Sequence, residues 1–277
     1  MPTPSDAAHP TSKAAVLAEL RGRIRRMEGI GGADGSRFLP LGVWEVDQAL
    51  PDGGLPLGCL HEVVGENDPF NSVATGFSAV ILARISGLQG AERQGEVVWI
   101  TRGNDLYAPG IAAYGLKPER LIVVRARRDT DILWAMEEAL RCRALGAVLG
   151  EIGDIDMVAS RRLQLAAEQS GVTGLLLRAA DRRLGATASV TRWGLSAAPS
   201  RPPDGKPGGD PGLLGVPRWR TRLLRCRGGQ PGEWLLEWHD NGFTLVEEAM
   251  AAMAEDTMAD QEEAAPEWLQ RSSSSVW

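Results

Sequence analysis

The stretch "CLHEVVGENDPFNSVATGFSAVILARISGL", residues 59 to 88, predicts a strand, a loop and a helix in succession. Residues 59 to 64 form a short, mostly apolar run that is typical of a strand. From residue 73 onward the apolar residues continue over a length typical of a helix. A strand that leads through a glycine-containing loop into a helix is the first half of a β-α-β unit.

The same alternation continues to about residue 180. Further strands are predicted at 96–101, 120–124, 147–152 and 173–179, and helices at 108–116, 157–170 and 130–145, the last with Thr130 as its N-cap. Strands bounded by glycine that alternate with helices predict an α/β fold, with a mainly parallel sheet covered on both faces. After Asp181, four strand-like segments predict antiparallel strands at one edge of this sheet, and the Pro/Gly-rich stretch 199–217 predicts a mobile loop.

Composition indicates a cytoplasmic protein with no disulfide framework, zinc site or membrane span. The 277 residues include three cysteines, no CxxC pair and no long apolar run. The formal charge is −6, but the segment from Glu247 onward holds eight acids and one base, which leaves 29 bases and 28 acids in the first 246 residues. A nearly neutral body can bind nucleic acid locally even though the overall charge is acidic.

The loop after the first long strand has the outline of a phosphate-binding P-loop without its key residues. A P-loop reads Gly, four residues, Gly, Lys and then Ser or Thr, and it surrounds phosphate with backbone N–H groups and the lysine. The corresponding positions here are Gly65, Phe70, Asn71 and Ser72. Asn71 lacks the lysine charge, Phe70 adds a ring where the backbone approaches phosphate, Pro69 lacks an N–H, and Asp68 repels anions. We therefore expect neither ATP binding nor hydrolysis, and no cofactor, metal or catalytic residue.

Residues 38 to 72, "FLPLGVWEVDQALPDGGLPLGCLHEVVGENDPFNS", resemble the start of the RecA ATPase core. Within that superfamily, "GLPLGCLHEV" and "LYAPGIAAYGLKPERLI" are most similar to the ImuA family, RecA-like proteins of bacterial damage-induced mutagenesis. The resemblance implies a RecA-like core with a degenerate P-loop over residues 38–246. Residues 1–37 are interpreted as a disordered start, a basic amphipathic helix and a Gly-rich linker, and residues 247–277 as an acidic, disordered tail.

The resemblance also places two other ATPase positions. Where RecA proteins carry a catalytic glutamate, this chain offers Asn104 and Asp105, and where a Walker-B aspartate ends a strand, it has Glu151. Glu151 can be interpreted as a Mg²⁺ ligand or as a leftover acid, and the second interpretation agrees with the altered loop.

The resemblance therefore implies a non-enzymatic adaptor in SOS-induced translesion DNA synthesis. Its partners would be RecA, an ImuB-type polymerase-like protein and, indirectly, an error-prone replicative-type DNA polymerase. Two alternatives stay open: an ATP-dependent RecA-like recombinase, and a cell-division inhibitor of the SulA type.

Two arginine clusters are candidates for nonspecific contacts with single-stranded DNA. Arg182, Arg183 and Arg192 flank the segment that corresponds to the second DNA loop of RecA. Arg218, Arg220 and Arg222 alternate along one strand and would share one face of the sheet. Such a row suits phosphates, but it equally suits a charged edge that prevents aggregation.

Apolar residues outside the core indicate partner contacts. Leu17, Leu20 and Ile24 lie on one face of the basic helix 13–28, which either docks on a neighbouring RecA-like subunit or packs on its own domain. Trp268 and Leu269 are candidate anchors for the polymerase-like partner in a tail that could also be only solvated. By contrast, Trp44, Trp99, Trp134 and Trp193 are expected to pack in the core or at its edge.

Overall fold

A computed structural model describes residues 37–67, 71–87, 95–179, 184–201, 215–239 and 242–246. Within these ranges the chain is α/β, and its centre is a nine-stranded sheet. The predictions for the N-terminal helix, the acidic tail and residues 202–214 lie outside the described residues.

Nine strands form the main sheet. They are β3 (Leu60–Gly65), β4 (Val97–Thr101), β5 (Leu121–Arg125), β6 (Ala147–Glu151), β7 (Thr173–Ala179), β8 (Thr191–Arg201), β9 (Val216–Cys226), β10 (Gly232–His239) and β11 (Gly242–Leu245). Two shorter strands, β1 (Phe38–Leu39) and β2 (Leu55–Pro56), pair separately in antiparallel fashion. The α-helices are α1 (Trp44–Ala49), α2 (Ser72–Ser86), α3 (Ala108–Ala112), α4 (Asp129–Arg141) and α5 (Met157–Ser170).

The main sheet has the order β11-β10-β9-β8-β3-β7-β6-β4-β5. The six strands from β8 to β5 are parallel, and β9, β10 and β11 continue the sheet in antiparallel fashion. The sequence-based expectation that β8 is antiparallel was wrong, because Thr191 pairs with His61 of β3 in the same direction. The chain returns to the amino end of the sheet before β8 begins, so the antiparallel part starts one strand later.

The two faces of the sheet bury different helices, as the alternation of side chains along each strand requires. Val63 and Trp99 belong to the core on the α2 side. Leu60 and Val98 lie an odd number of residues away from them on the same strands and belong to the core on the α4 and α5 side. Most residues of α2 are buried, which is typical of a helix enclosed by its own domain. This packing holds the start of α2 at the carboxyl end of β3.

Some local expectations were wrong. Helix α4 begins at Asp129 after the N-cap residue Arg128, so Thr130 lies inside the helix and is not its cap. Trp99 and Trp193 are fully buried as expected, but Trp44 is 71% exposed and Trp134 is 66% exposed. The hydrophobicity of tryptophan alone did not reveal which of the four would face the sheet. Strands β8 and β9 also occupy the two ends of the Pro/Gly-rich stretch that was interpreted as a loop.

Among the described helices, none has the length and apolar content to cross a membrane.

Candidate functional site

A cleft of about 820 Å³ lies at the carboxyl ends of the parallel strands, beside the start of α2. Asn71, Ser72 and Thr75 form one wall of this cleft, and Glu151 and Gly153 from the end of β6 form another. The segment after β4 supplies Arg102, Asp105 and Tyr107. Clefts at this position of open α/β sheets commonly bind ligands, because the loops after the strands converge there. The cleft is therefore the first candidate functional site.

The loop between β3 and α2 brings Asn71 back onto Gly65. Asn71 is the N-cap residue of α2 and adopts a left-handed conformation, with φ 57° and ψ 25°. Its side chain approaches Gly65 so closely that a Cβ atom at position 65 would collide with Asn71 Oδ1. Within the described part of the chain, this buried oxygen has no hydrogen-bond partner. The asparagine that occupies the lysine position is thus turned toward the end of β3.

Glu151 is held by the sheet at the opposite wall of the cleft. Trp99 Nε1 donates a 2.6 Å hydrogen bond to Glu151 Oε1, and Thr101 Oγ1 donates a 2.7 Å hydrogen bond to Oε2. Both donors lie on β4, beside β6, and Trp99 is fully buried. Each carboxylate oxygen therefore already has a protein donor. Sequence reasoning identified Glu151 but not these two donors, because only the pairing of β4 with β6 brings them to the carboxylate.

A second cavity of about 360 Å³ adjoins the cleft at Arg102, which lines both. The other lining residues are Gly103, Asn104, Arg125 and Arg127. Arg102 forms an ion pair with Asp129 at the start of α4. Sequence analysis did not single out Arg125, the last residue of β5, or Arg127, which lies two residues beyond it.

Arg192 meets a buried carboxylate instead of facing solvent. Its Nε lies 2.8 Å from Glu62 Oε2, and Arg178 Nη1 lies 2.6 Å from Glu62 Oε1. Thr187 Oγ1 also donates to Glu62 Oε2, at 2.9 Å. Glu62 and Arg178 are almost fully buried, and 14% of the Arg192 side chain is exposed. Sequence analysis missed Glu62 and Arg178. The only signal for them was a charged residue within each of two otherwise apolar strands.

Arg218, Arg220 and Arg222 lie on the face of β9 opposite buried Trp219 and Thr221. Arg218 Nε lies 2.7 Å from Glu237 Oε1, and Arg220 Nη1 lies 3.1 Å from Glu233 Oε1. Arg222 lies 3.2 Å from Glu66, in the loop after β3. Carboxylates from β10 and from this loop therefore neutralise the row. The other sequence-predicted site residues, Phe70, Arg182, Arg183, Leu17, Leu20, Ile24, Trp268 and Leu269, lie outside the described residues.

His61 forms a separate buried polar cluster on β3. Its Nδ1 lies 2.8 Å from Thr191 Oγ1, and its Nε2 lies 2.8 Å from the Pro56 carbonyl oxygen. The Pro56 carbonyl can only accept, so His61 donates from Nε2 and its Nδ1 accepts from the Thr191 hydroxyl, which itself accepts from Trp193 Nε1. Burial lowers the pKa of His61 to about 4 and raises the pKa of Cys226 to about 11. Across the described ranges, no three His, Cys, Asp or Glu side chains form a group that could hold a metal ion.

Comparison with known proteins relates the chain to bacterial ImuA proteins. The chain is 38% identical over 215 residues to Protein ImuA of Caulobacter vibrioides strain NA1000 / CB15N, an alignment that covers 74% of this chain and 84% of that protein. Protein ImuA of Caulobacter vibrioides strain ATCC 19089 / CIP 103742 / CB 15 matches to the same extent. No protein-family model matches the chain.

Proposed function

The chain belongs to the ImuA family, and we propose that it is a catalytically inactive, RecA-like adaptor in DNA damage-induced mutagenesis. Its mixed sheet, with six parallel strands and an antiparallel extension, is consistent with a RecA-like core. In this proposal the cleft at the carboxyl ends of the strands descends from a nucleotide site that no longer hydrolyses ATP.

The position of Asn71 carries the proposal of inactivity. Phosphoryl transfer depends on positive charge placed at the β- and γ-phosphates, and the P-loop lysine supplies much of it. Asn71 supplies no charge, and its side chain turns toward Gly65 at the end of β3. Glu151 offers little to a metal ion, because Trp99 and Thr101 already donate to both of its oxygens.

An ATPase assay on the full chain tests this proposal directly. We expect turnover at the background rate and no saturable binding of a fluorescent ATP analogue. A matched variant with Phe70→Gly and Asn71→Lys restores the two missing P-loop residues, and it should gain nucleotide binding if the rest of the cleft is intact. Turnover by the unaltered chain that disappears on Ser72→Ala would overturn the proposal.

The size of the cleft favours the alternative, an ATP-dependent RecA-like enzyme. A volume of about 820 Å³ lies within the range of small-molecule sites, and Ser72 stands at the first position of α2, where a P-loop hydroxyl binds Mg²⁺. The same assay separates the two functions, because only the enzyme produces ADP.

The adaptor role requires partners, and we propose those that the family resemblance implies. They are RecA, an ImuB-type polymerase-like protein and, through the latter, an error-prone polymerase. Affinity purification of the full chain from cells with DNA damage should recover RecA and the polymerase-like protein together. A chain that lacks residues 1 to 30 should lose RecA alone. Trp268→Ala should weaken the polymerase-like contact about thirtyfold, the usual effect of removing a buried tryptophan anchor.

A further inference from the structure

Two arginines beside the cleft carry positive charge that no described carboxylate neutralises. The guanidinium groups of Arg125, at the end of β5, and Arg127 form no hydrogen bond or ion pair with another described residue, and both side chains are exposed. Their neighbour Arg128 differs, because Asp131 accepts two 2.8 Å hydrogen bonds from it. Of these two adjacent arginines, therefore, only Arg128 has a carboxylate partner among the described residues.

The fold directs both arginines into one cavity. Strands β4 and β5 are parallel neighbours, with Thr101 opposite Arg125, so the loops after them lie side by side at the carboxyl edge of the sheet. The loop after β4 contributes Asn104, and the segment after β5 contributes Arg127. Planar guanidinium groups at the mouth of one cavity suit phosphate oxygens, which they can bind through paired N–H donors.

An exposed aromatic ring lies on the adjoining wall. Tyr107 lines the larger cleft, which meets the arginine cavity at Arg102, and Tyr107 is 70% exposed. Its ring lies against Gly110, where an added Cβ atom would stand only 3.1 Å from Tyr107 Cδ1. Glycine at position 110 thus lets the ring rest on the backbone of α3 while most of the ring surface stays open to solvent.

We propose that Arg125, Arg127 and Tyr107 form a site for single-stranded nucleic acid. The two arginines bind backbone phosphates, and Tyr107 stacks on a base. Cations beside an exposed aromatic ring are the combination that nonspecific single-strand binders use. An acidic peptide would use the arginines without requiring the ring.

This site differs from the arginines that the sequence suggested. Arg192, Arg218, Arg220 and Arg222 already face carboxylates, whereas Arg125 and Arg127 do not. The site does not depend on the adaptor role, because nucleic acid can bind there with or without partner proteins.

Fluorescence anisotropy of a labelled oligothymidylate, titrated with the full chain over a series of salt concentrations, tests the arginines. Arg125→Ala with Arg127→Ala should weaken binding at least tenfold at low salt. It should also reduce the slope of log affinity against log salt by about 1.4, since each lost phosphate contact on a single strand removes about 0.7. The control Arg143→Ala with Arg161→Ala removes the same charge from two exposed positions elsewhere and should leave that slope unchanged.

Substitutions at Tyr107 test the stacking contact. Tyr107→Ala should weaken binding about fivefold or more at every salt concentration, whereas Tyr107→Phe keeps the ring and should bind as the unaltered chain does. The proposal is overturned if the full chain does not bind oligothymidylate at low salt, or if the control pair weakens binding as much as the Arg125 and Arg127 pair. It is also overturned if poly-glutamate binds in an Arg125- and Arg127-dependent manner while Tyr107→Ala leaves oligothymidylate binding unchanged, because the site would then receive acidic protein.

Discussion

The arginines that meet at Glu62 and the arginines that line β9 bind carboxylates with similar geometry but in different surroundings. The Arg178 and Glu62 side chains are 1% and 0% exposed, and their atoms approach to 2.6 Å. The Arg220 and Glu233 side chains are 47% and 36% exposed, and their atoms approach to 3.1 Å. Ion pairs in water contribute little to stability, whereas removing one partner of a buried pair leaves a charge that water cannot solvate.

A third ion pair, Arg218 with Glu237, is intermediate in burial, so the three pairs can be ranked. The Arg218 side chain is 23% exposed, the Glu237 side chain is 7% exposed, and the two are joined at 2.7 Å. If burial decides what each pair contributes, the free energy lost on substitution should decrease from the Glu62 cluster to Arg218 and then to Arg220.

The largest effect is expected for Glu62→Ala. This change leaves buried Arg178 with only the exposed carboxylate of Asp154, at 3.5 Å, and loss of one partner of a buried ion pair costs about 3 to 5 kcal/mol. The free energy of unfolding, from urea denaturation followed by circular dichroism, measures this loss. As the matched control, Glu233→Ala removes a surface carboxylate and should cost less than about 1 kcal/mol. Equal losses for the two variants would show that burial does not separate the clusters.

The next effect concerns His61, the neighbour of Glu62 on the opposite face of β3. Burial lowers the pKa of His61 in the folded chain to about 4, whereas the unfolded chain takes up a proton near pH 6.5. The stability contributed by neutral His61 is therefore complete above pH 6.5 and is lost as the pH falls toward 4, by about 1 kcal/mol per pH unit.

Urea denaturation of the unaltered chain and of His61→Gln between pH 7 and pH 4.5 measures this dependence. The variant should be less stable at pH 7 but should lose less stability on acidification. Comparing the two chains cancels the opposite contribution of Asp47, whose pKa burial raises. Parallel curves for the two chains would contradict the lowered pKa of His61.

Arg218→Ala should have a smaller effect, about 1 kcal/mol. The substitution removes a donor from the buried carboxylate of Glu237, and the loss of such a partner typically costs about 1 to 3 kcal/mol. Urea denaturation at pH 7 measures it, and Arg218→Lys, which keeps the charge, should recover part of the loss. If Arg218→Ala lowered the free energy of unfolding as much as Glu62→Ala does, the 23% exposure of Arg218 would not reduce the loss, and the ranking by burial would be wrong.

The smallest effect is expected for Arg220→Ala, which should change the free energy of unfolding by no more than about 0.5 kcal/mol. Both Arg220 and Glu233 keep substantial contact with water, so each can be solvated without the other. A thermal melt beside that of Arg218→Ala tests the ranking. A larger decrease in melting temperature for Arg220→Ala than for Arg218→Ala would contradict the ranking by burial.

Much of the fold could be predicted from local sequence pattern. The apolar runs of β3, β6 and β7 and the helix 157–170 were located almost to the residue. Local pattern did not predict α1, because its six residues are too few to show a helical repeat of apolar residues. It also did not predict that β8 runs parallel to β3. Direction depends on the path of the connection between strands, and strand propensity carries no information about it.

The candidate site was only partly predictable for the same reason. Asn71 and Ser72 were identified because the P-loop motif fixes their spacing along the chain, and Glu151 because the family resemblance places an acid at the end of its strand. Trp99 and Thr101 were not identified as donors, since they reach Glu151 across 50 or more residues of sequence. Arg125 and Arg127 were overlooked because only the folded structure shows that they have no carboxylate partner among the described residues.

By itself, the sequence determined the alternation of strands and helices, the missing lysine at Asn71 and the charge of each arginine. Hydrophobic period and covalent structure are local properties, and arginine stays protonated in proteins, so the sequence alone suffices to define all three. Only the tertiary structure decided which arginines would be neutralised. The pairing of β3 with β7 and β8 places Arg178 and Arg192 on Glu62, whereas the open edge at β5 leaves Arg125 and Arg127 facing solvent. The effect of a charge depends on its solvation and its nearest counter-charge, and strands distant in sequence supply both.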